Sequence, residues 1–567
     1  MTPSMSRDEA LRALTAPGAD FEVVEENVGG IQMREFRNAP PTLRAVLEGT
    51  REFAERDAVV YQDERYTYAE MLGVAVGLAA RFRERYGLER GDRIAVAMRN
   101  YPEWPLVFWG AIAAGLVVVP LNAWWTAREL RYAIEDSGAR LLVADGERIE
   151  VVGDSLSGLG LRGVIAVRQP GELPAGAERW GDVRAEVDVE APLPEIEISF
   201  DDDATILYTS GTTGTPKGAI GTHRNHVTNL MNTALNGALG LTMAGEEPPE
   251  EQPVYMTTFP IFHIAGQTGM QFAALSGSKL VLLYRWDTAK ALEMIERERV
   301  SSMAAVPKTV RRVLESPELE RYDVSSLAAL ASGGAPVPPD LILSIDRQFA
   351  SAVAPANGYG LTETTSAVVI NSGEEYVAHP ESVGRPVVGC DLRVVDPASR
   401  EDVPTGQIGE LWVRGPNVVR GYWNKPEETA ASFTDGWFHT GDLGYVDDDG
   451  LVYVVDRLKD VVIRGGENVY CAEVEAVLFQ HPAVDDVAVI GLPDELLGEE
   501  VAGIVNLKPD VPADAEALRA HAAERLARFK VPGVIVFRDS PLPRTATGKV
   551  LKRELREEVV RAGAMST

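Results

Sequence analysis

The sequence predicts an α/β protein: a large N-terminal domain of layered α/β subdomains followed by a small α+β C-terminal domain. Three observations predict it. The first 200 residues alternate amphipathic helical segments with short β-branched strands. Residues 411–455 become rich in strand signals separated by Gly and Asp turns. After Arg457 the pattern changes again, into a short mixture of helix and strand. A chain of 567 residues is also too long for one core.

The elements can be justified in order. Residues 67–86 read as a helix and 93–98 as a strand. The apolar run 106–121 is too short for a membrane span, and Pro120 sits near its end. It reads as a buried helix (106–114) leading into a buried strand (116–120). A helix over 130–137 and a strand over 141–144 continue the alternation, which argues for largely parallel sheets. Residues 191–203 read as a connection. The loop 245–253, GEEPPEEQP, is charged and rich in proline, and is expected to be exposed and mobile. Segments 474–479, 487–490, 501–507, 515–527 and 534–537 fill the small C-terminal domain. Its boundary is expected near Asp456 to Asp460.

Composition excludes several classes. Acidic residues number 85 against 55 basic ones, a net charge of −30. Nucleic acid is therefore not an expected partner, because phosphate contacts need a basic surface. Any site for an anion must be built locally. Cys390 and Cys471 are far apart and in no metal-ligand spacing, which favours a cytoplasmic protein without a disulfide framework. The first ten residues do not read as a secretory signal.

The strongest local signal is TSGTTGTPKG, Thr209 to Gly218, after the strand candidate 204–208. Gly211, Gly214 and Gly218 allow sharp turns that expose consecutive N–H groups. Thr209, Ser210, Thr212, Thr213 and Thr215 supply hydroxyls, and Lys217 a positive charge. Together they suit a polyphosphate. The spacing is not that of a Walker A loop, because Pro216 precedes Lys217 and Gly218 follows it. The segment resembles the phosphate loop of the adenylate-forming superfamily, which includes acyl-CoA synthetases, aryl-CoA ligases, adenylation domains and luciferases. Further motifs follow in the superfamily's order and extend the resemblance over about Tyr66 to Lys549.

SGGAP (332–336) resembles the adenine-side segment, with Gly334, Ala335 and Pro336 at the nucleotide. In NGYGLTET (357–364), an aromatic ring could stack on a purine and a carboxylate could hold Mg²⁺ against phosphate. The resemblance assigns Asn357, Gly358 and Tyr359 to adenine, Thr362 to the phosphates, and Glu363 with Thr209 to the metal. FHIAG (262–266) resembles the segment at the carboxylate substrate, with His263 between the acyl pocket and the thiol path. His223 and His226, an HxxH pair, read as structural. TGD (440–442) resembles the ribose motif, with Asp442 accepting from the sugar hydroxyls. DRLKDVVIRGGEN (456–468) resembles the hinge motif: Arg457 at ribose or phosphate, Lys459 at the hinge, and Gly465 and Gly466 near the pantetheine arm. PLPRTATGK (541–549) brings Lys549, which in the superfamily reaches the substrate carboxylate and the α-phosphate.

The resemblance implies an adenylation domain over 1–456, containing a small β-barrel-like subdomain, and a mobile C-terminal domain over 457–567. It implies an ATP-dependent acid–CoA ligase. The carboxylate would attack the α-phosphate, release pyrophosphate, and then pass from acyl-AMP to CoA. ATP, Mg²⁺ and coenzyme A are the implied cofactors and co-substrates, with His263, Glu363, Thr209 and Lys549 as the catalytic set. A carrier protein in trans is the alternative acceptor, and a homodimer stays open. Ile261, Phe262, Gln267 and Ala331 are candidate walls of the acid pocket. Its small-residue floor, 329–334, points to a medium or long-chain fatty acid or a related hydrophobic acid, with an aryl or polycyclic acid as the alternative. No GxSxG string supports a hydrolase.

Overall fold

Helices between consecutive strands act as crossovers, and crossovers produce parallel sheets. The computed structural model describes residues 5–209, 216–509, 511–545 and 548–564. By contact the chain divides into two units. The first is Met1–Pro380, Gly384–Asp391 and Val413–Phe438; the second is Glu381–Val383, Leu392–Trp412 and His439–Thr567.

Two large sheets carry the first unit. In a seven-stranded sheet, Val117–Pro120, Arg93–Ala97, Leu141–Asp145 and Gly163–Val167 lie side by side in parallel. Ile94, Ala95, Val96, Leu141 and Val143 are fully buried, as expected where helices cover both faces. β1 (Asp203–Thr209) joins this sheet in parallel, and β2 (Lys217–Thr222) closes its edge antiparallel to β1. The predicted buried helix is present and starts earlier, at Glu103. Pro105 is tolerated because it falls in the first turn, whose N–H groups have no helical partner.

The second sheet has nine strands. β3 (Ala329–Gly333) and β4 (Ala354–Leu361) are parallel neighbours near one edge, and β5 (Ser366–Ser372) runs antiparallel beside β4. Helices α1 (His223–Ala244) and α2 (Ile264–Ser276) pack on each other and on β5. Of the loop 245–253, residues 245–251 are exposed as the composition predicts, whereas Gln252 and Pro253 are half-buried, the Gln252 amide donating to the Asp57 and Gly277 carbonyls.

In the second unit, β6 (Trp437–Val446), from His439 onward, forms a hairpin with β7 (Val452–Arg457). β8 (Val462–Arg464) and β9 (Glu467–Val469) follow, then α3 (Cys471–Phe479). β10 (Val484–Asp494) and β11 (Gly498–Leu507) make a long hairpin, with Val534–Phe537 parallel to β11. Val474, Leu478, Val489, Val501, Val505 and Leu518 fill this small core. The predicted segments 474–479, 487–490, 501–507 and 534–537 fall on these elements, and the predicted 515–527 segment is a helix over Ala515–Ala523 that ends four residues early. Among the described residues no helix is long and apolar enough to cross a membrane.

Candidate active site

Thr209 ends β1 and Lys217 begins β2, and the two are paired in the antiparallel register. The Thr209 hydroxyl lies 3.5 Å from the Lys217 carbonyl. Ser210, Gly211, Thr212, Thr213 and Gly214 lie outside the described residues. The Lys217 ammonium stands 5.2 Å from the centroid of the Tyr422 ring. The Tyr422 hydroxyl in turn donates to Glu363 Oε1 at 2.8 Å. Burial, reinforced by that carboxylate, raises the Tyr422 pKa, so the phenol stays a proton donor.

Tyr422 is a member of the site that sequence reasoning did not single out. It reaches Glu363 because residues 421–423 run along β2: Ile220 N–H donates to Gly421 at 3.1 Å and Trp423 N–H to Gly218 at 2.7 Å. The Trp423 indole and the Lys425 ammonium then fasten the segment to Asp136. The available signal was the aromatic pair after Gly421 in a stretch with no helical or strand period.

Glu363 is a reasonable magnesium ligand. Its side chain is buried, and Val419 N–H fixes its backbone carbonyl at 2.9 Å. Among the described residues no group of three potential ligands surrounds it. Mg²⁺ needs none, since it commonly takes one carboxylate and completes its octahedron with phosphate oxygens and water.

The adenine-side motifs come together through strand pairing. Ser332 pairs with Asn357 and Gly333 with Gly358 across β3 and β4. Asn357 is buried, while Gly358 is exposed and Tyr359 is half-buried. Gly334 follows β3 at φ +75°, a conformation that requires glycine, and carries the chain into Ala335 and Pro336. Thr362 and Glu363 form one short 3-10 turn after β4.

His263 caps α2. Its Nδ1 accepts from Ala265 N–H at 3.3 Å. Although it keeps some accessible surface, crowding by protein pushes its pKa down to about 4, so the imidazole is neutral near pH 7. Phe262 packs edge-on against the exposed Trp124 at 5.2 Å. His223 and His226 are structural: His223 Nδ1 accepts from Leu43 N–H, and His226 Nε2 meets the Thr205 hydroxyl at 2.8 Å.

Within the second unit, Asp442 and Arg457 are cross-strand partners on β6 and β7, with an ion pair of 2.5 Å. The turn before Asp442 is held by Thr440, whose hydroxyl donates to Leu411 O at 2.7 Å and accepts from Asp442 N–H at 3.0 Å. Leu458 N–H donates back to Gly441 at 2.9 Å. Burial lowers the Lys459 pKa. Lys549 is exposed. Protein crowding around its ammonium, assisted by Arg457 and Lys459, still outweighs Asp442 and Asp460 and pushes its pKa down to about 8. Lys549, Asp442, Arg457 and Lys459 thus share one electrostatic environment, although 90 residues separate Lys459 from Lys549 in sequence.

Gly465 and Gly466 have φ +61° and +88° and form the two-residue turn between β8 and β9, where Arg464 pairs with Glu467. Two consecutive positive φ values are what such a hairpin turn demands, so the glycines are explained locally before any ligand is considered. Asp456 accepts from Ala472 N–H at 3.2 Å and so ties β7 to the start of α3.

The AMP-binding enzyme family matches residues 47–423, and the AMP-binding enzyme C-terminal domain matches residues 473–549. A feruloyl-CoA synthase from Amycolatopsis sp is 37% identical over 501 residues, covering 88% of this chain and 95% of that protein. A long-chain-fatty-acid–CoA ligase from Bacillus subtilis is 32% identical over 545 residues, covering 91% and 94%. The structure of o-succinylbenzoate coenzyme A synthetase from Bacillus subtilis, in complex with ATP and magnesium ion, superposes with a TM-score of 0.76. It is 30% identical, with 90% of this chain and 98% of that one covered.

Proposed function

The chain belongs to the AMP-binding enzyme family and is an ATP-dependent, AMP-forming acid–CoA ligase, and on that premise we propose a hydrophobic carboxylic acid as its substrate and the following roles for its residues. The phosphate loop with Lys217 holds the β- and γ-phosphates. Asn357, Gly358 and Tyr359 receive adenine, with Gly334, Ala335 and Pro336 beside it and Thr362 toward the phosphates. Asp442 accepts from the ribose hydroxyls. Glu363 and Thr209 hold Mg²⁺, which supplies charge neutralisation on the phosphate oxygens when bound.

A carboxylate is a weak electrophile, and adenylation gives it a leaving group. Catalysis of that step is positioning plus neutralisation of growing charge. Lys549 carries the neutralising charge for the reacting oxygens. The observation supporting this most directly is its depressed pKa beside Asp442 and Arg457, since a strongly perturbed lysine among nucleotide-side residues marks a functional group. The CoA thiol then attacks the acyl carbonyl and expels AMP. For that step Lys549 must leave, so we place a hinge at Lys459, divide the working domains at 1–456 and 457–567, and assign Gly465 and Gly466 to the pantetheine arm.

His263, neutral at the head of α2, borders the acid carboxylate. Fatty and aryl acids are both hydrophobic enough for the small-residue floor of β3. The relatives' names include both kinds. Two buried unpaired cysteines suit a cytoplasmic enzyme. A panel of aliphatic and aryl acids assayed for pyrophosphate release, with and without CoA, tests the whole reading. Acid-dependent release followed by CoA thioester is expected. Thioester formation only on a carrier protein would refute the choice of acceptor.

A further inference from the structure

The turn that carries Glu363 is held by a single stretch of chain, residues 417–422. Tyr422 donates to the Glu363 carboxylate and Val419 N–H to its backbone carbonyl. Asn417 takes the next carbonyl along: its Nδ2 donates to Thr364 O at 3.0 Å. Its Oδ1 accepts from the Cys390 thiol at 2.8 Å. Asn417 is 0% exposed, and Cys390 is buried beside it. Burial pushes the thiol up to about 12, so it stays protonated and acts as the donor. With a thiol donor at one end and a carbonyl at the other, the amide has one orientation.

The stretch is itself anchored to the end of β2. Asn225, buried in the first turn of α1, donates from Nδ2 to Pro416 O at 2.7 Å and to Val418 O at 3.1 Å. Its Oδ1 accepts from the N–H of Thr222, the last residue of β2, at 2.8 Å. Two buried amides thus link three pieces of the first unit. Asn225 ties β2 to residues 416–418, and Asn417 ties these to the Glu363 turn. That turn needs holding. Thr365 and Ser366, directly after it, sit at φ +49° and +86°. Neither is glycine, and a β-branched residue keeps such a conformation only where its surroundings over-determine it. Thr364 Oγ1 closes the turn locally, accepting from Leu361 N–H at 2.8 Å and donating to Ser366 O at 2.7 Å. Asn417 adds a hold from outside the turn. A leucine there would fill similar space and forfeit both of its hydrogen bonds, which is costly at a buried site.

We propose that Asn417 is a positioning residue for adenylation: by holding the Thr364 carbonyl it presets the Glu363 carboxylate to take Mg²⁺ against the phosphates. This rests on the reading that Glu363 holds the metal. In this role Asn417 touches neither nucleotide nor metal and acts through residues 363 and 364. Residues that orient a metal ligand in this way commonly carry about 10–100-fold in metal affinity or rate.

The test is calorimetric binding of α,β-methylene-ATP, which cannot be adenylated, with saturating Mg²⁺ and with EDTA. The ratio of Kd in EDTA to Kd in Mg²⁺ isolates the contribution of the metal. Asn417→Ala should lower that ratio by about tenfold relative to the wild-type enzyme, while Kd in EDTA stays within about twofold. In ATP–pyrophosphate exchange the same variant should lose about 10- to 100-fold in kcat, with the KM for the acid within about twofold. Asn417→Ser, which keeps a short hydroxyl donor, should give an intermediate ratio and covers the case in which the alanine variant does not fold. An asparagine that merely stabilises the fold would lower the melting temperature and leave the ratio alone. A ratio unaltered in the variants, or an equal rise in both Kd values, overturns the proposal. Glu363→Gln separates it from the reading beneath it. If that variant abolishes the ratio and the Asn417 variants do not alter it, the positioning role alone falls. If Glu363→Gln leaves the ratio intact, Glu363 does not hold the metal and this inference falls with it.

Discussion

Raising the pH should switch off acyl-adenylate formation through Lys549. Only the ammonium can neutralise the reacting oxygens, so activity is lost as the group deprotonates, and the loss runs with rising pH. Crowding by protein, with Arg457 and Lys459 nearby, brings its pKa from the ordinary 10.5 to about 8. At that value about nine-tenths of the enzyme carries the charge at pH 7 and about one-tenth at pH 9, a roughly tenfold fall in kcat/KM. The assay is ATP–pyrophosphate exchange at saturating acid, followed as kcat/KM for ATP, because that ratio titrates the enzyme before ATP binds. Bound ATP brings negative charge and should move the same limb in kcat to higher pH. Lys549→Arg should flatten whatever activity remains, since a guanidinium does not deprotonate in this range. Lys459→Ala removes one of the neighbouring cations and should shift the limb upward. A wild-type profile flat to about pH 9.5, or an arginine variant with the same limb, would refute the assignment.

Four further outcomes are expected. Tyr422→Phe removes a hydroxyl donated to Glu363; a lost charge-assisted bond of about 1.5–3 kcal/mol corresponds to a 10- to 150-fold fall in kcat/KM for adenylation, and an unchanged rate would show that Glu363 does not depend on it. Lys549→Ala should abolish acyl-AMP formation yet spare thioester formation from pre-made acyl-AMP; equal loss in both assays would sink the division of roles. Lys459→Pro should slow thiolation more than adenylation by stiffening the hinge, which stopped-flow measurement of each half-reaction can check. Gly466→Val forces a β-branched residue to φ +88°, a strain of about 1–2 kcal/mol, and should lower the melting temperature and slow thiolation first.

Much of the fold was legible because helix and strand periods are local. The β1 strand, the C-terminal elements and the exposed 245–251 loop fall where their residue patterns place them. The buried helix after Tyr101 was recognised, but its start was placed three residues late, since a proline reads as a breaker until its place in the first turn is known. The motif strings could be picked out too, because each carries its own chemistry: glycines suited to tight turns, hydroxyls and Lys217 suited to phosphate, and the Glu363 and Asp442 carboxylates suited to a cation or to sugar hydroxyls.

What sequence alone determined was therefore the inventory: an α/β ligase with its nucleotide motifs in order. Tertiary structure decided which groups act on one another. Tyr422 lies 59 residues from Glu363 and is joined to it only because residues 421–423 run along β2. Crowding by protein depresses Lys549 first; the cations that assist it, Arg457 and Lys459, and the carboxylates that oppose it, Asp442 and Asp460, all lie far back in the chain. Gln267 read as one more pocket wall; its fully buried, unpaired amide is visible only once α1 and β5 close around α2. Hydrogen bonding and desolvation depend on what lies within a few ångströms in space, and separation along the chain does not encode that distance.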